Sequence, residues 1–386
     1  MMNNPRVAIS QPYFILGGRL SLVLEIVKSL NNLGIEPDIL ALGYAFTPDQ
    51  IYKKYGHDLR MHFRTVAKGT PWRRLPQDFQ ILIFNYLLRK FSSSYDLIIN
   101  SSDSQIHLPE EPRIISYVHF PREYLVKRGV TESYFLNSGK IMVFLARISD
   151  RLLRWFYSRS REPLKQSVVC NSMYSRSCFL EAFPEYPKEI PVIYPPIKLA
   201  EYQVETEEER RGVISLGRFS RLKKQFEQIK VAERLPDIDF HLVGFVTERA
   251  YFERCKSYIE SQGLKNVHLH PNLDYNEMIR LLNSSKYFLH NMVNEPFGIT
   301  AVEAIAAGCI PIVHNSGGQK ETVPDRALRY DELSDIPAIL NGLEAKSPLE
   351  IQTLIKMLQS NALENFDEPI FLENMTRFLQ GILADI

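Results

Sequence analysis

The chain has 386 residues, 45% of them hydrophobic and 24% charged, a composition that is ordinary for a folded protein and excludes a disordered chain. Its length predicts two domains. The net charge of +1 hides an asymmetry, because residues 1–200 carry 26 Lys+Arg against 17 Asp+Glu, whereas residues 201–386 carry 20 against 28. The halves are therefore expected to face different partners, and the basic half suits nucleic acid, an anionic membrane surface or an acidic substrate.

The cysteines Cys170, Cys178, Cys255 and Cys309 are scattered and form no C-x-x-C pair. Free buried thiols in a reducing compartment are therefore expected rather than disulfides or a zinc site. The amino-terminal stretch has no basic segment followed by an apolar run, and no stretch approaches the roughly 18 apolar residues of a membrane span. We therefore expect a cytoplasmic protein with neither a signal peptide nor a transmembrane helix.

Strands and helices alternate along the first half of the chain. A short apolar strand at 6–10 precedes a helix at 17–34, for which Gly34 is the predicted end. The further predicted strands are IEPDILAL (35–42), YDLIIN (95–100), RIISYVHF (113–120) and SVVCNS (167–172). Alternation of this kind predicts right-handed crossovers and a parallel sheet.

A proline-rich connector and an acidic run separate the halves. PVIYPPI (191–197) and ETEEER (205–210) place the domain boundary near 197–211. A second alternating series follows, with predicted strands at 212–219, 240–245, 267–270, 287–293 and 310–315. The fold class is thus predicted as α/β, with two doubly wound Rossmann-like domains, 1–200 and 201–370, whose ligand-binding strand edges face each other across a cleft.

The stretch NEPFGITAVEAIAAG (294–308) combines a strand end, a tight turn and a helix start. Glu295 lies at the carboxyl edge of the preceding strand, Gly298 permits close approach to the backbone, and a helix is predicted to begin at Ile299. The first N–H groups of that helix form an anion site, and Glu303, one turn in, is placed to reach hydroxyls beside bound phosphates. The alternative is a solvated helix glutamate and a polar loop end.

A second stretch, SLGRFSRLKKQ (215–225), places two bases just past a strand end. Arg218 and Lys223 can bind one diphosphate, the first as a fork and the second as a point charge. They can also neutralise the charge that develops on a leaving phosphate. The alternative is a pair of ordinary surface bases.

With these motifs the chain resembles the retaining glycosyltransferases of GT-B architecture, in the large family 4 that includes sucrose synthases and many mannosyltransferases. GRFSRLKKQ, HLVGF, NEPFGITAVEAIAAG and PIVHNSGGQKETV match the second domain in order, while GGRLSLVLEIVKSLNNLG, YVHFP and VVCNS…VIYPPI match the first. The likeness covers nearly the whole chain. YVHFP, VIYPPI and HNSGG look most like the mannosyltransferases that build lipid-linked oligosaccharide from GDP-mannose.

The resemblance implies roles for the charged residues of the second domain. Arg218 and Lys223 would hold the donor diphosphate, Glu303 would bind the nucleotide ribose, and Glu295 would hold the donor sugar and phosphate. The helix-start residues that would join Glu295 are Phe297, Gly298, Ile299 and Thr300. Many relatives have glycine directly after the lysine, where this chain has Lys224, so which lysine reaches the phosphate is left open.

The resemblance also implies a contribution from the first domain. His119 would touch the sugar near the reacting centre, and Gly17 and Gly18 would let a loop approach the donor. A satisfied core histidine is the alternative for His119, because RIISYVHF is an apolar strand. Its position at the carboxyl edge, before Phe120-Pro121, favours the site.

No metal site is expected. DID (237–239) has the D-x-D spacing that holds a metal on nucleotide sugars elsewhere, but it precedes the strand FHLVG and so lies at the amino end of the sheet, where it is predicted to form a turn. Arg218 and Lys223 can perform the electrostatic task of a metal. We therefore expect metal independence and no cofactor beyond the donor itself.

Two basic segments of the first domain, 51–75 and 122–165, are interleaved with aromatic residues. The first has seven bases against one acid and the second ten against four. Within the second, IMVFLARISDRLLRWFYSR (141–159) is predicted to be amphipathic, and its basic face carries Arg147, Arg151 and Arg154. Such a helix can lie in a membrane interface, or pack on the core with a solvated basic face. No groove-reading motif is present, so nucleic acid is not expected.

The sequence thus predicts a retaining glycosyltransferase that moves a hexose, best matched by mannose, from a nucleotide-diphosphate sugar to a glycan or lipid-linked acceptor. It is expected in the cytoplasm, with a peripheral position on the inner face of the membrane. A sugar-nucleotide epimerase, a phosphorylase with lysine-bound pyridoxal, and an inactive sugar-nucleotide or glycan-binding module are the alternatives. GT-B relatives commonly return their last helix to the first domain, which implies that place for the amphipathic segment 371–386.

Overall fold

The computed structural model describes residues 5–14, 17–55, 58–66, 77–102, 113–128, 148, 151–152, 166–203 and 209–386. The chain divides into two compact units. The N-terminal unit consists of Met1–Pro196 and Phe371–Ile386, and the C-terminal unit of Ile197–Ile370. The carboxyl-terminal segment therefore belongs to the same unit as the amino terminus.

The N-terminal unit contains a six-stranded parallel sheet in its described residues, with the strand order β5-β3-β1-β6-β7-β8. Its strands are β1 Val7–Ser10, β3 Asp38–Ala41, β5 His62–Thr65, β6 Leu97–Asn100, β7 Arg113–Val118 and β8 Ser167–Cys170, and a short ladder joins β2 Tyr13–Phe14 to β4 Gly43–Tyr44. Its helices are α1 Gly18–Asn32, α2 Pro48–Tyr55, α3 Gln77–Ser92, α4 Arg122–Arg128 and α5 Met173–Ala182. The order reverses between β1 and β6, which is a topological switch point.

The C-terminal unit repeats this plan, with the strand order β11-β10-β9-β12-β13-β14 and every pairing parallel. Its strands are β9 Arg211–Leu216, β10 Phe240–Gly244, β11 Val267–Pro271, β12 Ser285–His290, β13 Ile310–His314 and β14 Arg329–Tyr330. Its helices are α6 Gln225–Ala232, α7 Arg249–Gln262, α8 Tyr275–Ser284, α9 Ile299–Ala306, α10 Gln319–Thr322, α11 Ile336–Glu344 and α12 Pro348–Phe366. Here the order reverses between β9 and β12.

The last helix, α13 Glu368–Leu383, packs on the core of the N-terminal unit. Phe371, Met375 and Leu379 are at most 2% exposed and join the cluster formed by β1 and α1. The carbonyl of Ile382 accepts a hydrogen bond from Arg113 at 3.3 Å, which ties the end of the helix to β7. An amphipathic segment that cannot bury its apolar face alone thus completes the first core.

The central strands of both sheets are apolar and buried on both faces, as parallel strands covered by helices require. Strand β5 lies in the basic segment 51–75, where the sequence predicted no strand. The amphipathic segment 141–159 lies outside the described residues, apart from three helical positions at 148, 151 and 152. The four cysteines are buried and free, which confirms that prediction. No helix in the described part of the chain is long and apolar enough to cross a membrane.

Candidate donor site

The carboxyl edge of the C-terminal sheet brings two of the predicted site residues into contact. Lys223 follows β9 and Glu295 follows β12, so the pair straddles the switch point, where doubly wound sheets bind ligands. Lys223 Nζ lies 2.7 Å from Glu295 Oε2. Their side chains are 19% and 15% exposed, so the pair is largely buried yet open to a ligand on one side.

The backbone around Glu295 is fixed by the glycines of HNSGG, which follows β13. Gly318 N donates to Glu295 O at 2.8 Å. A Cβ on Gly318 would clash with the Pro296 carbonyl, and one on Gly317 would clash with the carbonyl of Glu295. Only glycine allows this close approach of two backbones, so HNSGG holds the turn that presents Glu295.

Three neighbouring groups, led by the Lys223 ammonium, keep the Glu295 carboxyl ionised. Burial alone would raise the pKa of Glu295, but the neighbouring Lys223, His290 and Arg218 together hold it below its usual value. Arg218 is exposed in the loop after β9. Lys223 and Arg218 thus form the basic rim of the edge that the sequence predicted.

His290, the last residue of β12, is a part of this cluster that the sequence reasoning did not single out. Its side chain is 3% exposed and its Nε2 lies 3.4 Å from Glu295 Oε2. Its Nδ1 is hydrogen-bonded to the amide of Gln319, the first residue of α10. HNSGGQKETV was recognised as a motif, but no spacing rule links Gln319 to a histidine 29 residues earlier.

Helix α9 begins at Ile299, shortly after Glu295 in the chain. Gly298 is its N-cap with a φ of 105°, a left-handed conformation that favours glycine. Ile299 and Thr300 form its first turn, and the earliest backbone hydrogen bond onto the Gly298 carbonyl comes from Ala301. Phe297 is buried, with its ring edge-on to Phe366 at 5.3 Å, so it can reach a ligand only through its backbone.

Glu303 lies one turn into α9 and has a partner that sequence reasoning missed. Tyr202 OH donates to Glu303 Oε1 at 2.7 Å. Burial raises the pKa of Glu303, and the bond from Tyr202 counteracts part of that shift. Tyr202 lies in the short 3-10 turn Leu199–Tyr202 that opens the C-terminal unit, where no motif marked it.

Lys224 adopts a left-handed backbone conformation with a φ of 55°, which glycine favours. It is the N-cap of α6 and follows directly on Lys223. Lys223, not Lys224, contacts Glu295 in the structure.

The predicted residues of the N-terminal unit lie at the carboxyl edge of its own sheet. His119 follows β7, and its Nε2 lies 3.0 Å from Ser101 Oγ, which follows β6. Gly17 is the N-cap of α1 with a φ of 148°, and Gly18 begins that helix. Both glycines are exposed.

The Asp-Ile-Asp segment 237–239 precedes β10, at the amino end of the sheet, where Asp239 Oδ1 lies 3.0 Å from His268 Nε2. It is therefore remote from the Lys223–Glu295 edge. The described residues contain no group of three or more His, Cys, Asp or Glu side chains that could hold a metal ion.

Comparison with known proteins adds a family match to this geometry. The model of the family "Glycosyl transferases group 1" matches residues 199–331, the stretch that holds Tyr202, Arg218, Lys223, Glu295 and Glu303. The chain is 27% identical over 373 residues to the alpha-1,3/1,6-mannosyltransferase alg2 of Schizosaccharomyces pombe, which covers 83% of this chain and 69% of that protein.

A second relative and a solved structure extend the comparison. The GDP-Man:Man(3)GlcNAc(2)-PP-Dol alpha-1,2-mannosyltransferase of Xenopus laevis is 26% identical over 229 residues, which cover 53% of this chain and 46% of that protein. HepE of Anabaena, solved with UDP and glucose, superposes with a TM-score of 0.71 at 16% identity and covers 98% of this chain and all of that chain. This likeness confirms the predicted α/β architecture.

Proposed function

We propose that this chain, a glycosyltransferase of GT-B fold with a glycosyl transferases group 1 domain at residues 199–331, transfers mannose from GDP-mannose to a lipid-linked glycan. The observation that carries the proposal is the Lys223–Glu295 pair at the switch point of the C-terminal sheet, beside Arg218 and the start of α9. The names of the mannosyltransferase relatives support the choice of sugar and acceptor.

Lys223 and Arg218 are proposed to hold the donor diphosphate. An ammonium group has three N–H donors, so Lys223 can keep its bond to Glu295 and still donate to a phosphate oxygen. Arg218 is exposed and adds a guanidinium that can bind two phosphate oxygens at once. Both charges also stabilise the diphosphate as it leaves, and we propose that transfer needs no metal ion.

The start of α9 is proposed to hold the rest of the donor. The backbone of Phe297, Gly298, Ile299 and Thr300 forms a helix N-terminus that suits an anion. Glu303, held by Tyr202 through Oε1, is proposed to accept a hydrogen bond from the nucleotide ribose at its other oxygen. Glu295 is proposed to contact the donor sugar.

The N-terminal unit is proposed to serve the acceptor side. His119 is proposed to contact the sugar near the reacting centre, with its ring oriented by Ser101. Gly17 and Gly18, exposed at the start of α1, are proposed to approach the donor.

A peripheral place on an anionic membrane surface is proposed from the basic segments 51–75 and 122–165. Vesicles that contain anionic lipid should sediment the protein at low salt, because each base near such a surface contributes about 1 kcal/mol that decays within a Debye length. Reversal of Arg147, Arg151 and Arg154 to glutamate should release it. Equal sedimentation by neutral vesicles would argue against the charge mechanism.

The experiment that tests the function is transfer from radiolabelled GDP-mannose to a lipid-linked chitobiose-mannose acceptor, with EDTA present. Product that an α-mannosidase removes supports retention. Isomerised free nucleotide sugar without an acceptor would identify an epimerase instead, and donor binding without turnover would identify an inactive binding module. An absorbance band near 400 nm would identify the pyridoxal cofactor of a phosphorylase.

The proposed role of Glu303 in nucleotide binding can be tested with a conservative substitution. Glu303→Gln keeps an oxygen for Tyr202 but removes the charge, so the affinity for GDP should fall by about tenfold or more, as expected when a charged hydrogen-bond partner is lost. Isothermal titration with GDP measures this. An unchanged dissociation constant would remove Glu303 from the nucleotide site.

A further inference from the structure

We propose that His290, fixed as its Nε2–H tautomer by Gln319, is a positioning residue that orients the Glu295 carboxylate toward the donor. The inference rests on the proposed function, because it gives Glu295 a task at the donor sugar. Neither His290 nor Gln319 belongs to the set of residues for which the sequence predicted a role.

Two buried side chains, Gln319 and His290, connect to the partly exposed carboxylate of Glu295. The amide of Gln319 contacts His290 Nδ1, and His290 Nε2 lies 3.4 Å from Glu295 Oε2. Gln319 and His290 are both at most 2% exposed. His290 Nε2 is buried and has no partner of ordinary hydrogen-bond geometry, so the Glu295 carboxylate is the acceptor that it faces.

The chemistry of the two ends selects one tautomer. An ionised carboxylate accepts hydrogen bonds and cannot donate, so an Nε2 lone pair facing Glu295 would be repelled, whereas an Nε2–H is attracted. With the proton on Nε2, Nδ1 is an acceptor and must receive the NH₂ group of Gln319. That assignment leaves Gln319 Oε1 as the unpartnered atom, as the structure has it.

The imidazole is held neutral as well as oriented. The charged groups that face it are Lys223 and Glu295. Burial and the Lys223 ammonium lower the pKa of His290 to about 3, and Glu295 opposes this only in part. His290 therefore keeps one proton, on one nitrogen, throughout the physiological range.

A neutral donor suits the position better than a cation. Lys223 already contacts the same oxygen, Glu295 Oε2, at 2.7 Å. A second full charge would compete with Lys223 for the carboxylate, whereas an N–H dipole restrains the carboxylate without drawing it from the lysine. Hydrogen bonds of this kind are often long before the substrate binds and shorten in the complex.

The first test reads the tautomer in the intact protein without any donor. Long-range ¹H–¹⁵N spectra distinguish the two neutral tautomers, and the signal that disappears in His290→Gln is that of His290. We expect an Nε2–H imidazole that does not titrate between pH 5 and 8. An Nδ1–H tautomer or a protonated ring would overturn the proposal, whatever the substrate of the enzyme proves to be.

The second test separates orientation from packing. His290→Phe keeps the ring and removes the N–H, so kcat should fall by about thirtyfold or more while KM for the donor changes much less, as for an interaction made mainly in the transition state. His290→Gln restores an N–H donor and should recover a substantial part of kcat. The control is Tyr287→Phe, on the same strand as His290, which removes a partly buried hydrogen bond from Tyr287 to Glu344 of helix α11.

A third variant reverses the tautomer preference. Gln319→Glu places a carboxylate against Nδ1, which favours a proton there and should bring a new ionisation of His290 between pH 5 and 8 into both the spectra and the kcat profile. The positioning role would be contradicted if His290→Phe had the same kcat as the wild type, or if His290→Phe and His290→Gln lowered kcat equally. If the wild-type protein did not turn over GDP-mannose, the proposed function would be wrong, but the tautomer of His290 could still be measured by NMR.

Discussion

Lys223 and Glu295 come from distant parts of the chain and form a largely buried ion pair. Removing two charges from water is expensive, and their attraction offsets this only when both are present and well placed. The carboxyl of Glu295 keeps a pKa below its usual value despite burial, first of all because of Lys223. A group with a lowered pKa in the folded state contributes stability above its unfolded pKa and loses it as the pH falls through its folded pKa.

Lys223→Ala should therefore reduce both activity and stability. Turnover should fall by at least about a hundredfold, because a preorganised charge on the leaving phosphate is lost. The free energy of unfolding at pH 7 should fall by about 2 kcal/mol, since the Glu295 carboxylate would remain largely buried without its partner. Urea unfolding measures the second effect, and Lys223→Met with Glu295→Gln should regain stability but not activity. Equal stability of the single and double variants would contradict this.

Lys224 offers a substitution that should stabilise the protein. Its φ of 55° places it in the left-handed region, which is unfavourable for any residue with a Cβ. Lys224→Gly should raise the free energy of unfolding by about 0.5–1 kcal/mol, after the greater entropy of glycine in the unfolded chain is subtracted. Lys224→Ala is the control, because it removes the charge and keeps the Cβ. A thermal melt in which both variants shift alike would attribute the effect to charge.

At the scale of elements, strands β10 and β11 place three histidines side by side. His241 Nδ1 lies 3.1 Å from His270 Nε2, and His241 stacks on His268 with ring centroids 4.9 Å apart. Burial and the two neighbouring histidines lower the pKa of His241 to about 4, while Asp239 opposes this. Protonation of one ring therefore works against protonation of the others.

Because of this cluster, we expect the free energy of unfolding to decrease at acidic pH. Because the folded pKa of His241 is lowered, its contribution to stability is complete above about pH 6.5 and is lost as the pH falls through about 4. The free energy of unfolding should thus decline from pH 7 to pH 4.5 more steeply in the wild type than in His241→Gln. Urea titrations at several pH values give the two slopes, and parallel slopes would contradict the prediction.

The last helix, α13, is predicted to be essential to the first core. Truncation after Ile370 would uncover the cluster to which Phe371, Met375 and Leu379 belong, and the protein should lose stability or aggregate. Met375→Ala is a milder test and should destabilise by about 3 kcal/mol, as for other buried large-to-small changes. Removal of 384–386 alone is the control. An equally stable and active truncated protein would contradict the prediction.

For the whole molecule, local pattern was sufficient to predict the strands of the two parallel sheets apart from β5 and β14, as well as the E-x7-E turn. The structural likeness to HepE confirms the predicted fold, and the family match at residues 199–331 agrees with the motifs. Strand β5 was missed because HFRT is exposed and basic, and an edge strand needs no apolar run. Tyr202, His290 and Gln319 were missed because their partners are 29 to 101 residues away, and only the folded unit brings them together.

The chain enters and leaves the C-terminal unit at neighbouring positions. Ile197 pairs with Asp367 as a parallel bridge, with Ile197 N donating to Phe366 O at 3.1 Å and Glu368 N to Ile197 O at 3.0 Å. The two ends of a 174-residue stretch, Ile197–Ile370, are thus close neighbours. A short linker would join them at little entropic penalty, so this unit is suited to circular permutation, with new termini opened at an exposed turn such as Gly263. Because its two ends are neighbours, the unit could also be replaced by another domain of the same fold, joined at Ile197 and Asp367, with no change to the rest of the chain.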